Sequence, residues 1–158
     1  MAGFKQVFLQ ALSEISTVEK DQLGDIRWEG NKVYKYVQFN DGAANEAGVA
    51  GEVCYYYAPA GVGTTGYGLS LVTSDISDSA EVGAGVLVAA LDNNEYGWIQ
   101  IKGLATLTLG LTDGVDGDPL TPTGSANGTI GVIGADTEVQ CAIAFDQSAD
   151  IIICDFPF

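Results

Sequence analysis

Hydrophobic and polar positions alternate along residues 95–103 (EYGWIQIKG), with Ile99 and Ile101 on one side and Tyr96, Trp98, Gln100 and Lys102 on the other. Period two is the signature of a strand. The second side is unusual, because two aromatic rings and a lysine stem carry too much apolar area for an idle solvent face. Residues 33–39 (VYKYVQF) alternate in the same way, with Val33, Val37 and Phe39 opposed to Tyr34, Tyr36 and Gln38, and the NDG at 40–42 closes the run as a turn. Further strands are expected at residues 52–58, 68–72, 85–91, 105–111, 129–133, 138–145 and 151–155. The DNNE turn cluster at 92–95 makes a hairpin of residues 85–91 with 96–102. About nine short strands at this spacing, with no convincing helix between them, predict an antiparallel sandwich or a tulip-like barrel. There is no internal repeat.

The first residues follow another pattern. Phe4, Phe8, Leu12 and Ile15, with Val7 between them, recur at helical spacing before the polar break at Ser16 and Thr17. A short amphipathic helix is the first expectation and an extended arm its rival. Residues 1–26 are too few for a domain and residues 27–158 form one β-rich domain, so the apolar stripe must lie on this body or on a neighbouring molecule. The balanced charge of the segment favours the neighbour. Two glycine-rich intervals, 58–68 and 111–128, are too long for hairpin turns and are candidate contact loops.

Charge sharpens the picture. Six basic residues stand against 21 acidic ones, and five of the six (Lys5, Lys20, Arg27, Lys32 and Lys35) lie in the first 35 positions. The net charge of −15 therefore belongs to the body. Phosphate neutralisation needs Lys and Arg, so nucleic acid and anionic membrane are poor partners. Acidity keeps a β-rich protein soluble, discourages edge pairing and suits a surface displayed at high density. The first residues lack the apolar core and cleavage site of a signal peptide, and no run approaches the roughly 18 apolar residues of a membrane span. Cys54, Cys141 and Cys154 show no ligand spacing and histidine is absent, so buried free thiols in a reducing cytoplasm are expected and no cofactor is.

Candidate chemistry is thin. Asp113, Asp116 and Asp118 lie between glycines and are the weak candidates for a calcium site, without the spacing of an EF-hand and with Pro119 and Pro122 arguing for a rigid turn. Carboxylate pairs such as Asp75 with Asp78, or Asp92 with Glu95, sit in polar turns where acids are normally just solvated. No nucleophile elbow, P-loop or dinucleotide fingerprint occurs, and an enzyme is not expected. Tyr34, Tyr36, Tyr55, Tyr56, Tyr57, Tyr96 and Trp98 instead form an aromatic inventory of the kind that interfaces use, although half or more must fill a second layer of the fold.

The stretches GNKVYKYVQFNDG, YYYA, TSDISDSAEVGAGVLVAAL, EYGWIQIKG and ATLTLGLTDGVDGDPLTPTG together resemble the head decoration, or cement, proteins of tailed bacteriophages, over roughly residues 17–130. The resemblance is a pattern of strands and glycine turns with no catalytic signature. It implies a small all-β protein, synthesised in the host bacterial cytoplasm, that sits on the exterior of the virion capsid. Such proteins often bind as homotrimers and lock neighbouring major-capsid subunits together. Members commonly use an N-terminal arm to reach the capsid or an adjacent copy, and residues 4–15 occupy that place here. No family site residue carries over. The contact candidates are thus Phe4, Val7, Phe8, Leu12 and Ile15 on the arm and Tyr96 and Trp98 on the body. The alternative is a carbohydrate-binding or adhesin-type module in which Trp98 and the tyrosines stack on sugar rings.

Overall fold

A computed structural model of the chain describes residues 6–58, 66–111, 113–122, 126–136 and 138–158. Ten strands account for almost all of its regular structure: β1 (Ile26–Glu29), β2 (Lys32–Phe39), β3 (Val53–Tyr57), β4 (Leu71–Thr73), β5 (Ser79–Leu87), β6 (Tyr96–Thr106), β7 (Pro119–Thr121), β8 (Gly131–Val132), β9 (Ala142–Asp146) and β10 (Ile151–Asp155). The helical content is three single 3₁₀ turns, Gly66–Leu69, Ile76–Asp78 and Gln147–Ala149. Among the described residues no helix is long and apolar enough to cross a membrane.

All ten strands belong to one sheet in the order β1-β2-β4-β3-β5-β6-β10-β9-β7-β8, and β2 also pairs with β6. That extra pairing closes β2, β4, β3, β5 and β6 into a five-stranded ring, small enough for side chains to fill. The architecture is therefore the barrel rather than the sandwich of the two expected forms, with a four-strand extension. One pair departs from the antiparallel rule: β2 and β4 run parallel through Gln38↔Leu71 and Phe39↔Val72.

β6 joins the ring to the extension. One of its edges pairs with β2 from Gln38↔Tyr96 to Val33↔Lys102. Its other edge pairs first with β5, at Leu87↔Ile99 and Val86↔Gln100, and then with β10, from Asp155↔Lys102 to Ile151↔Thr106. Tyr34 faces Gln100 while the next residue, Val33, faces Lys102, so Ile101 is the extra residue of a bulge. A bulge bends its strand and increases local twist, and this one lies where β6 leaves the ring. The expected strand at 105–111 is a correction: its first two residues continue β6, and residues 107–111 pair with no strand.

Alternation places Val33, Val37, Phe39, Ile99 and Ile101 in the main core, with Val53, Tyr55, Leu87, Leu120, Ile130, Ile152 and Phe156. Tyr34, Tyr36 and Trp98 form a separate cluster on the opposite side of β2 and β6. The three cysteines are free and buried. Burial pushes the Cys141 and Cys154 thiols up to about 12 and raises Cys54 further. Thiolate is the reactive form, so the native protein should not react with a thiol reagent at neutral pH, whereas the unfolded chain should release all three equivalents. Rapid native labelling in a timed assay with a chromogenic disulfide would contradict this packing.

Candidate functional site

The side of β2 and β6 that carries Tyr34, Tyr36, Tyr96 and Trp98 is covered by the chain's own N-terminal segment. Residues 6–15 form no helix; they run as an irregular strap that meets β6 through the bridge Ser16↔Tyr96. This corrects the helical expectation, and the reason lies in the hydrogen bonds. The Asp21 carboxylate accepts from the backbone N–H groups of Leu9 and Gln10, at 2.8 and 2.9 Å. The Gln10 side chain donates to the carbonyls of Glu14 (2.7 Å) and Tyr96 (2.9 Å). Backbone groups that a helix would satisfy internally are satisfied here by tertiary partners.

Gln10 is fully buried and organises the contact. Its Oε1 accepts from the Tyr36 hydroxyl at 2.7 Å, and its backbone carbonyl accepts from Trp98 Nε1 at 3.3 Å and from the Arg27 guanidinium at 3.2 Å. Burial pushes the Tyr36 phenol above its ordinary range, which keeps the donating proton in place. Phe8 packs edge-on to Trp98 with ring centroids 5.2 Å apart, and Tyr36 lies 5.1 Å from the same indole. Arg27 sits over both the Phe8 and Trp98 rings, at 5.4 and 5.8 Å, and is also paired with Glu29. A buried aromatic ring removes roughly 150–250 Å² from water, worth several kcal/mol at about 25 cal/mol per Å². The apolar side of the strap thus stays on its own chain, against the expectation of a neighbour.

Its other side faces outward. Val7 and Leu9 flank Phe8 and point to solvent, 75% and 70% exposed, and Ile15 and Val18 are exposed further along. The candidates therefore separate. Phe8 and Leu12 are partly buried against the aromatic cluster, Val7 and Ile15 are outward, Tyr96 is partly covered and Trp98 is sealed at 0% exposure. In this fold Trp98 has no surface to offer a partner. Phe4 lies outside the described residues, as do residues 59–65, 112 and 123–125 of the two glycine-rich loops. A sugar platform built on Trp98, Tyr34 and Tyr36 also lacks exposed faces; the exposed indole is that of Trp28, on β1.

The acidic candidates staple loops. Asp113 accepts from the Val132 N–H, Asp116 from Gln147 N–H and Asp118 from Val115 N–H, at 2.9, 2.8 and 2.9 Å. These bonds tie different segments, and among the described residues no three acidic or cysteine side chains gather as a metal site. Asp75 accepts from Ser77 and from the Ala44 N–H; burial opposes its ionisation, but these bonds outweigh it and hold the carboxyl below the usual range. Asp78 accepts from the Ala43 N–H.

One residue that alternation could have singled out is Lys35. It shares the side of Val33 and Val37 and is buried, 4% exposed, with Nζ donating to the Tyr56 hydroxyl at 3.0 Å. The Tyr56 and Tyr67 rings lie 5.1 and 5.0 Å from the ammonium. No carboxylate pairs with it among the described residues, and burial pushes its pKa below the ordinary lysine range. No family model matches the chain, and neither a curated protein nor a solved structure shows significant similarity to it.

Proposed function

We propose that this chain is a structural virion protein that binds the outer surface of a tailed-phage capsid, as a homotrimer, and ties neighbouring major-capsid subunits together without catalysis. The observation that carries the reading is the strap. It is pinned from beneath by Asp21, Gln10 and the Phe8–Trp98 contact, and it presents Val7, Leu9, Ile15 and Val18 outward from a body of strongly negative charge. Exposed aliphatic groups held on a fixed backbone suit an interface, because the entropy of ordering them has already been lost in folding. Repeated over many copies on a shell, a modest burial at each site adds up to stable attachment. The acidic body keeps densely arrayed copies from associating through their free faces.

The test is co-sedimentation with undecorated heads of the encoding phage. Wild-type protein should bind saturably, and the double variant Val7→Asp/Leu9→Asp should lose at least about tenfold in affinity while keeping its melting temperature, since both side chains already face water. Unchanged binding by the variant would remove the strap as the contact. No binding by the wild type would overturn the reading itself.

A further inference from the structure

The edge of β1 that faces away from β2 is open. β1 ends the sheet and, among the described residues, pairs with β2 alone. The Asp25 carbonyl accepts from the Tyr36 N–H at 2.9 Å. Alternation along the extended backbone then turns the main-chain groups of Arg27 and Glu29 towards β2 and those of Ile26 and Trp28 outwards. No hydrogen bond among the described residues engages the outward N–H or carbonyl of Ile26 or Trp28. Two residues on, Gly30 borders open space, where an added Cβ would meet nothing within 4 Å.

The side chains mark the same place. Trp28 is 68% exposed, and none of the ring–ring or cation–ring contacts among the described residues includes it. Tryptophan is among the residues most enriched at the energetic centres of interfaces. Charge is favourable here too. Residues 1–35 hold five acids and five bases, whereas residues 36–158 hold sixteen acids and Lys102 alone. Two copies of the chain therefore repel least through the segment that contains β1.

We infer that β1 is a two-fold contact between copies of this chain, in which two β1 strands pair antiparallel through Trp28. Side-chain charge chooses the register. Outward main-chain groups must meet outward groups, so Trp28 faces an even-numbered residue of the second copy. Facing Ile26 sets Arg27 against Arg27 and Glu29 against Asp25, and facing Gly30 sets Glu29 against Glu29, all like charges. Facing Gly24 meets a residue at φ +88 whose N–H is already given to the Tyr36 carbonyl at 2.9 Å. Facing Trp28 places the two indoles side by side, Ile26 opposite Gly30, and Arg27 opposite Glu29 on both sides of the axis. These Arg–Glu pairs fall at non-hydrogen-bonded positions, where cross-strand side chains lie closest. Such an isologous contact closes after two copies and covers an edge otherwise open to uncontrolled pairing. It stands independently of attachment to a capsid, and in a homotrimer it joins one trimer to the next.

Sedimentation velocity of the full chain from about 5 to about 500 μM is the test, a span suited to a contact smaller than a standard interface. The mass of the smallest species, whether one chain or three, should double across that range, and tryptophan emission should shift to shorter wavelength as it does so. Trp28→Lys should move the doubling at least about tenfold higher in concentration. Glu29→Lys should do the same, although it makes each copy less negative and would tighten any association governed by net charge alone. Both side chains are exposed, so neither variant should lose melting temperature. Amide exchange at Trp28 should slow on association. An unchanging mass, doubling that survives Trp28→Lys, or tighter association of Glu29→Lys would overturn the interface. Doubling without protection of the Trp28 amide would overturn strand pairing.

Discussion

Replacing Trp98 with alanine is expected to lower the free energy of unfolding by about 3–5 kcal/mol, the range for deleting a large aromatic side chain from a packed site. The indole is fully enclosed, with Phe8 edge-on at 5.2 Å and Tyr36 at 5.1 Å, and its N–H reaches the Gln10 carbonyl. Removing it takes away both the packing and the surface on which the strap rests. Chemical denaturation followed by circular dichroism reads the loss, and fluorescence of the remaining Trp28 reports whether the body survives. Trp98→Phe retains a ring against Phe8 and should recover part of the difference. A loss below about 1 kcal/mol for the alanine variant would mean that the strap is not held by this contact.

The opposite sign is expected at Lys35. Replacement by methionine should stabilise the protein by about 1–2 kcal/mol, because it keeps a long apolar stem and removes a buried ammonium that has no carboxylate partner among the described residues. The Tyr56 hydroxyl, which accepts from Lys35, retains a contact to the Pro157 carbonyl at 3.5 Å. The pH dependence follows from the direction of the lysine shift. Burial lowers the folded pKa below the ordinary 10.5, so the penalty is fully present below the folded value. It is relieved as pH rises from there towards 10.5, where the unfolded chain also deprotonates. Wild-type and variant stabilities should therefore converge as pH rises through the alkaline range towards 10.5 in paired urea titrations. Buried tyrosines act in the other direction above their ordinary value of 10.0: burial raises Tyr34 and Tyr36, and folding then loses stability as unfolded phenols ionise. A gain at Lys35→Met that widened with pH would contradict the placement of the ammonium.

Much of the barrel was readable from alternation. In residues 33–39 the side of Val33, Val37 and Phe39 does enter the main core, and the side of Tyr34 and Tyr36 forms the second cluster. The pairing of residues 85–91 with 96–102 is present at Val86↔Gln100 and Leu87↔Ile99. Strand β10 occupies the expected 151–155. Less visible were β1 and β7, which are four and three residues long and whose partners in the sheet settle them as strands. The interior position of Lys35 matches its parity with Val33 and Val37, although lysine side chains are seldom buried.

The N-terminal segment shows where pattern alone fails. Phe8 and Leu12 fit a helical spacing, and Val7, Phe8, Leu9 and Gln10 fit an extended one equally well. What chose between them was Asp21, eleven and twelve residues away, whose carboxylate takes the two N–H groups, together with the Gln10 amide that spans to Tyr96. Such partners are invisible to a window of neighbouring residues.

By itself the sequence determined that this is a strand-built, histidine-free, acidic chain with two-faced strands at β2 and β6, because side-chain alternation is a local property of extended backbone. Tertiary structure alone decided that the ring closes through β2 and β6, that β5 and β10 share one edge of β6 in succession, and that the strap covers Trp98 while turning Val7 and Leu9 outward. Each of these depends on hydrogen bonds and packing between residues far apart in the chain, whose energies no local pattern encodes.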